Sequence, residues 1–280
     1  MFGLGQDILS NVIATIIFLI LGWLLSILIR LPFVYSKRKR LLQFFGSTKE
    51  NPNLTAYLST VFVQSGGSFD FRGVSRTFSG PAIPSAELST IKPVAMLFTD
   101  PLLDGLPIAI RKWLSSKVHW SFQAISPEFK ASPKNRNQVD QSNIIAVGSQ
   151  YYNSIADLFT ETCNPILIMV QDGSRMVIRV NQGSREGEIF EQRSGQPDDL
   201  AIVEKIQDRT NNRMVFFAAG LGVIGTIGAV NYIVRNWENL AEEFNTNAFA
   251  ICLRFQDILS DPYAYKKPIE LSRFKISKLP

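Results

Sequence analysis

The chain has 280 residues, 46% of them hydrophobic, with 29 Lys and Arg against 24 Asp and Glu for a formal charge of +5. Much of that excess is one cluster, Lys37, Arg38, Lys39 and Arg40, so the remainder is close to neutral and no nucleic-acid-binding face is implied. Cys163 and Cys252 lie far apart and His119 is the single histidine, which excludes a disulfide framework and leaves too few soft ligands for a metal site.

From Ile8 to Ile29 the chain carries no charge, with Asp7 before the run and Arg30 after it. About 22 residues at a 1.5 Å rise span roughly 33 Å, enough to cross the hydrocarbon core as a helix. The N-terminal tail MFGLGQD has no Lys or Arg, whereas Arg30 and the cluster at 37–40 follow the run. The positive-inside rule then predicts a single-pass protein of the inner (plasma) membrane, N-terminus outside and the rest cytoplasmic. A cleaved signal peptide has the reverse charge order. The same cluster is a candidate contact for anionic lipid headgroups. Three segments follow: 1–30 tail and transmembrane helix, 31–55 basic juxtamembrane segment and linker, and 56–280 a cytoplasmic α/β domain.

Within that domain, LLQFFG at 41–46 is expected to cap the membrane exit and STKENPN at 47–53 to be a polar linker. AYLSTVFVQ (56–64) reads as a strand, and the Gly- and Ser-rich stretch from Ser65 to Pro84 as a loop. Ser85 caps a predicted helix to Phe98, kinked at Pro93, and Pro107 starts a second to Lys117. HWSFQAI (119–125) reads as a strand, 127–143 as a polar loop, and Ile144 to Val147 as a short strand before a helix from Ser154. ILIMV (166–170) and RMVIRV (175–180) flank Asp172-Gly173, a hairpin signal. A charged loop at 183–199 precedes the alternating strand AIVEKIQ (201–207).

A second uncharged run lies between Arg213 and Arg235. Its β-branched and aromatic start, its glycines, and the later stripe of Val230, Ile233, Val234, Trp237, Leu240, Ala241 and Phe244 predict strand, glycine turn and amphipathic helix rather than a second span. AFAICLRF (248–255) is the last predicted strand, and the tail from Gln256 is expected to be wrapped or loose. Alternating strands and helices predict a Rossmann-like, mainly parallel sheet with an inserted antiparallel hairpin.

Two strand ends are candidate ligand sites. At Gly148, Ser149, Gln150, Tyr151, Tyr152 and Asn153 the chain turns from strand to helix. Ligands of parallel sheets bind beyond such ends, and helix N-termini attract anions. The tyrosines offer rings for stacking. Gly220, Gly222, Gly225 and Thr226 form a G-x-G-x-x-G turn between strand and helix. The dinucleotide version also needs an acid about 20 residues on, at the end of the next strand. Here the next strand ends at Phe255 and Asp257 is the first acid past it, so NAD binding is off-pattern. The bland alternative at both turns is tight strand–helix packing alone. No Walker A, G-x-S-x-G or H-E-x-x-H motif is present. An enzyme here would rest on a carboxylate such as Glu87, Asp157 or Glu204 acting as a general base.

The set YLS (57–59), SGPA (79–82), VGSQYYN (147–153) and AGLGVIGTIGA (219–229), behind one anchor and a basic flank, resembles a group of uncharacterised bacterial membrane-anchored proteins. The domain is also similar to Rossmann-type nucleotide-sensing domains of the SLOG and TIR sort. That resemblance implies a sensor of a nucleotide-like ligand and transfers no catalytic residue. The leading expectation is a membrane-tethered domain binding a nucleotide-like or other anionic small molecule at the two turns, with membrane lipids as partners, self-association as an output and no obligate cofactor. Nucleotide or NAD glycoside hydrolysis, and partner docking without a ligand, are the alternatives.

Overall fold

The computed structural model describes residues 3–48, 51–59, 61–71, 74–82, 85–99, 103, 106–115, 119–125, 139, 141–245, 247–261 and 263–275. Most of the expected polar loop at 127–143 lies outside these residues, as does the side chain of Glu87.

The first helix, α1 (Gly3–Phe44), is far longer than its apolar run. Its membrane-length part is exposed, and among the described residues it is the one helix long and apolar enough to cross a membrane. It does not stop at the expected exit. Leu41, Phe44 and the following Phe45 are buried in the main core of the domain. The LLQFF segment is therefore a core element, because its apolar side chains find an interior to enter.

Five strands run in one direction: β1 (Leu54–Ser59), β4 (Trp120–Ile125), β5 (Asn143–Val147), β10 (Arg213–Gly220) and β11 (Phe249–Phe255). Two are antiparallel to them, β9 (Asp199–Asp208) and β12 (Ile269–Lys275). The order across this mostly parallel sheet is β12-β11-β9-β10-β5-β1-β4. β12 forms from the tail expected to be loose, pairing with β11 along an otherwise open edge. Two further sheets stand apart. β2 (Val61–Phe71) and β3 (Val74–Ala82) form a hairpin: the run expected as one strand over 56–64 divides between β1 and β2, and the rest of the hairpin falls in the stretch expected to be a loop, with a register shift between Val63 and Gly67. β6 (Leu167–Asp172), β7 (Arg175–Val180) and β8 (Ile189–Phe190) form a three-stranded antiparallel sheet.

Alternation along β5 and β10 divides the core. Ile145, Val147, Phe216 and Ala218 face one side, with the C-terminal end of α1, α2 (Ser85–Thr99) and the long helix α5 (Val223–Phe244). Ile144, Ala146, Val215 and Phe217 face the other side, with α4 (Ser154–Cys163). Beside α4, the small sheet packs Ile166, Leu167, Met169, Ile178 and Val180 on Leu200, Ile202, Ala219, Ala250 and Cys252. Each fully buried side chain of this size contributes roughly 1.5–3 kcal/mol. α3 (Ile108–Ser115) stands apart from these layers, on the side of α1.

Candidate functional site

β5 and β10 are neighbours and parallel, with Val147 opposite Ala218. The two candidate turns therefore leave the sheet side by side, and the helices that follow, α4 and α5, pack on opposite faces. At the first turn Gly148 has φ +98, and its N–H donates to the Ala218 carbonyl at 3.0 Å. The Ser149 carbonyl accepts from the N–H groups of Tyr152 and Asn153. Asn153 caps α4: its Oδ1 accepts from Ile155 and Ala156, while its Nδ2 donates to the carbonyls of Tyr57 and Val147. Fully buried and bonded at both ends, it latches β1, β5 and α4 together. Tyr151 and Tyr152 are instead half or more exposed. The Tyr151 hydroxyl and the Gln150 amide both reach the Met169 carbonyl, tying the turn to the small sheet.

At the second turn Gly222 is the N-cap of α5 and supplies no side chain. The anion that meets this helix end comes from β9. The Asp199 carboxylate accepts from the N–H of Gly222 at 2.9 Å, of Gly225 at 2.7 Å and of Leu200 at 2.8 Å. A carboxylate here is favoured by the helix dipole and the free N–H groups. Burial nevertheless holds the Asp199 pKa above its ordinary value, partly offset by those bonds. Thr226 Oγ1 accepts from Gly220 N–H and donates to the Gly222 carbonyl. A Cβ on Gly220 would sit 2.2 Å from the Thr226 nitrogen, so glycine is required by the close approach of strand end and helix. Two of the N–H groups through which a phosphate would be expected to bind, those of Gly222 and Gly225, are thus engaged within the chain. The cavity beside Gly148 and Ala219 holds about 20 Å³, room for about one water.

The larger concavities at this edge were not legible beforehand. One of about 420 Å³ is lined by Arg175, Arg193 and Arg254 with Phe190 and Glu191, and an adjoining one of about 290 Å³ includes Asp198. The buried Asp198 carboxylate accepts from Arg193 Nε at 3.1 Å and lies 3.2 Å from Arg254 Nε, holding two of the guanidiniums in place. Arg254 also donates to the Glu191 carbonyl. These arginines are contributed by β7, by the loop before β9 and by the end of β11. No sequence spacing could have grouped them.

The carboxylates considered for catalysis are placed differently. Glu204 is fully buried, and its oxygens accept from the N–H groups of Ile166 and Leu167 at 2.6 and 3.0 Å, anchoring the start of β6. Burial pushes its pKa up to about 8. Its neighbour Lys205 points to the other face, donates to the Asn245 carbonyl at 2.8 Å over the Phe44 ring, and is lowered by burial to about 7. Asp157, in the first turn of α4, is raised by desolvation and by Glu161. His119 is exposed beside β4. Among the described residues no group of three or more His, Cys, Asp or Glu is arranged to hold a metal.

The basic cluster does not simply face lipid. Lys37 pairs with Glu238 at 2.6 Å, Arg40 reaches Glu242 and the Glu238 carbonyl, and Arg38 is buried with Nη1 toward the Phe98 carbonyl. Lys39 is exposed. The cluster therefore joins α1 to α5 and α2.

No family model matches the chain, and neither a curated relative nor a solved structure does.

Proposed function

We propose that the protein is a membrane-tethered, Rossmann-like sensor domain on the cytoplasmic face of the inner membrane, and that it binds a nucleotide-like or other anionic small molecule at the carboxyl edge of its parallel strands. The observation that carries this reading is the arginine-lined concavity of about 420 Å³ at that edge, a size suited to small ligands. It lies on the side of the sheet where open α/β sheets bind ligands. Arg175, Arg193 and Arg254 supply the charge and the fork geometry for a phosphate or carboxylate. The exposed Tyr151 and Tyr152, at the same edge, are available to stack on a ring. With Asp199 holding the Gly222 and Gly225 N–H groups, the ligand's charge is met by arginine rather than by the glycine turn.

The test is thermal unfolding of the full chain in detergent against a panel of nucleotides and inorganic anions. A stabilising ligand should lose its effect in Arg175→Ala, whose side chain is exposed and outside the core. A flat response across the panel would remove this reading.

Partner docking without a small ligand is the second reading. It is favoured by the internal Asp199 carboxylate and by the cavity of about 20 Å³ beside the turns. Glycoside hydrolysis has less support, since Glu204 has both oxygens committed to backbone N–H groups.

A further inference from the structure

We propose that α3, with Leu103 and Leu106 before it, is a second membrane contact in the headgroup layer beside α1. This inference rests on α1 crossing the bilayer, and it adds a surface outside the basic cluster.

Position carries the first half of the argument. Leu103, Leu106 and Leu114 form a buried cluster with Val34 of α1, and Ile27, Leu31 and Ile110 pack against it. Ile27 belongs to the charge-free run itself. Trp113 stacks on Tyr35 with ring centroids 6.2 Å apart and planes 16° from parallel. Tyr35 lies six residues past Ile29, or roughly 9 Å along a helix. The interfacial layer on each side of the hydrocarbon is roughly 5–8 Å thick. Ile27 and Leu31 fall within that depth of the end of the run and Tyr35 at its outer margin, so a helix packed along this stretch of α1 is held against the headgroup layer.

Chemistry carries the second half. The outward residues of α3 are Ile108, 70% exposed, Trp113, 49% exposed, and the cations Arg111 and Lys112. Ile108, Arg111 and Lys112 fall at i, i+3 and i+4, on one stripe. Exposed isoleucine and tryptophan beside two cations suit a layer that is apolar on one side and anionic on the other. Tyr35 and Phe33 on α1 extend the patch. Lys37, Arg38 and Arg40 have partners within the domain, and Arg111 and Lys112 are further exposed cations, on a helix beside α1. Two contacts, the crossing helix and α3 beside it, fix the rotation of the domain about α1. The carboxyl edge then keeps a set orientation toward the membrane.

The test uses tryptophan quenching in the full chain, reconstituted into vesicles of phosphatidylcholine and phosphatidylglycerol in equal parts. The phosphatidylcholine is brominated either near the headgroup or near the chain ends. Trp23 lies roughly 9 Å inside the end of the apolar run and reports the span. Trp113→Phe should remove more than half of the quenching by shallow bromines, while Trp23→Phe should remove more than half of that by deep bromines. Ile108→Glu, which keeps Trp113 as reporter, should lower shallow quenching and raise quenching by aqueous iodide. Deep quenching that depends on Trp23 with shallow quenching indifferent to both α3 variants would overturn the α3 contact and leave the span intact. Strong iodide quenching of Trp113 in the unmodified chain would do the same and point to a protein-facing surface. Absence of Trp23-dependent deep quenching would overturn the span and this inference with it.

Discussion

Replacing Asp199 by Ala tests whether the glycine turn is held by an internal anion. The carboxylate accepts three N–H groups at 2.7 to 2.9 Å, two of them from the turn. Orphaning a buried donor costs about 1–3 kcal/mol, so the two glycine donors together set a gross loss of about 2–6 kcal/mol. Relief of the buried carboxylate, whose pKa is raised by desolvation, and entry of water return part of this. A net loss of about 2 kcal/mol is expected, or roughly 4–8 °C in Tm for a domain of this size. Asp199→Asn keeps one acceptor and should lie between. The Ala variant also exposes an anion site at the N-terminus of α5. Inorganic phosphate at ten times its Kd should then return about 1.4 kcal/mol, beyond the general salting effect seen in the unmodified chain. Thermal unfolding of the full chain in detergent, followed in chloride and in phosphate, measures both quantities. An Ala variant with unchanged Tm, or phosphate responses equal in the two proteins, would refute the internal-anion account.

Three other outcomes are expected. Gly220→Ala forces a Cβ to 2.2 Å from the Thr226 nitrogen and 2.4 Å from the Gly225 carbonyl carbon, so it should cost about 3 kcal/mol or more, visible as a lower denaturation midpoint. Arg213→Met removes the guanidinium 2.9 Å from the Asp208 carboxylate, both side chains being fully buried, and leaves that charge with the Thr210 and Asn211 donors; it should cost about 3 kcal/mol by the same measurement. Stability against pH should pass through a trough near 7–8. The Glu204 contribution, with its pKa raised to about 8, is complete below its ordinary value of 4.5 and is lost as pH rises to about 8. That of Lys205, lowered to about 7, is complete above 10.5 and is lost as pH falls to about 7. Glu204→Gln should remove the falling limb and Lys205→Met the rising one; a Tm profile unchanged by either would contradict these assignments.

Legibility differed from element to element for physical reasons. The apolar part of α1 was readable because a charge-free run long enough to cross a bilayer is rare in a core helix. α5 was readable because Val230, Ile233, Trp237, Leu240 and Phe244 recur on one face, and all five are buried. The sequence missed β3 and β2 beyond residue 64, since Gly and Ser weaken the strand signal while long-range pairing overrides it. It also missed the end of α1, because Leu41 and Phe44 give no sign of whether they meet lipid or a core.

What the chain's local chemistry determined by itself was periodic: one helix long and apolar enough to cross a membrane, the strands of the parallel set, the glycine turns and the capped α4. These depend on neighbours within one or two turns of backbone. Tertiary structure alone decided which charges meet. Asp199 reaches Gly222 only because β9 runs antiparallel beside β10. Lys37 reaches Glu238 only because α1 continues into the layer of α5, and the three arginines of the concavity converge from β7, a loop and β11. A side chain's partner across the fold is set by strand order and helix placement, and neither leaves a mark in the spacing of residues along the chain.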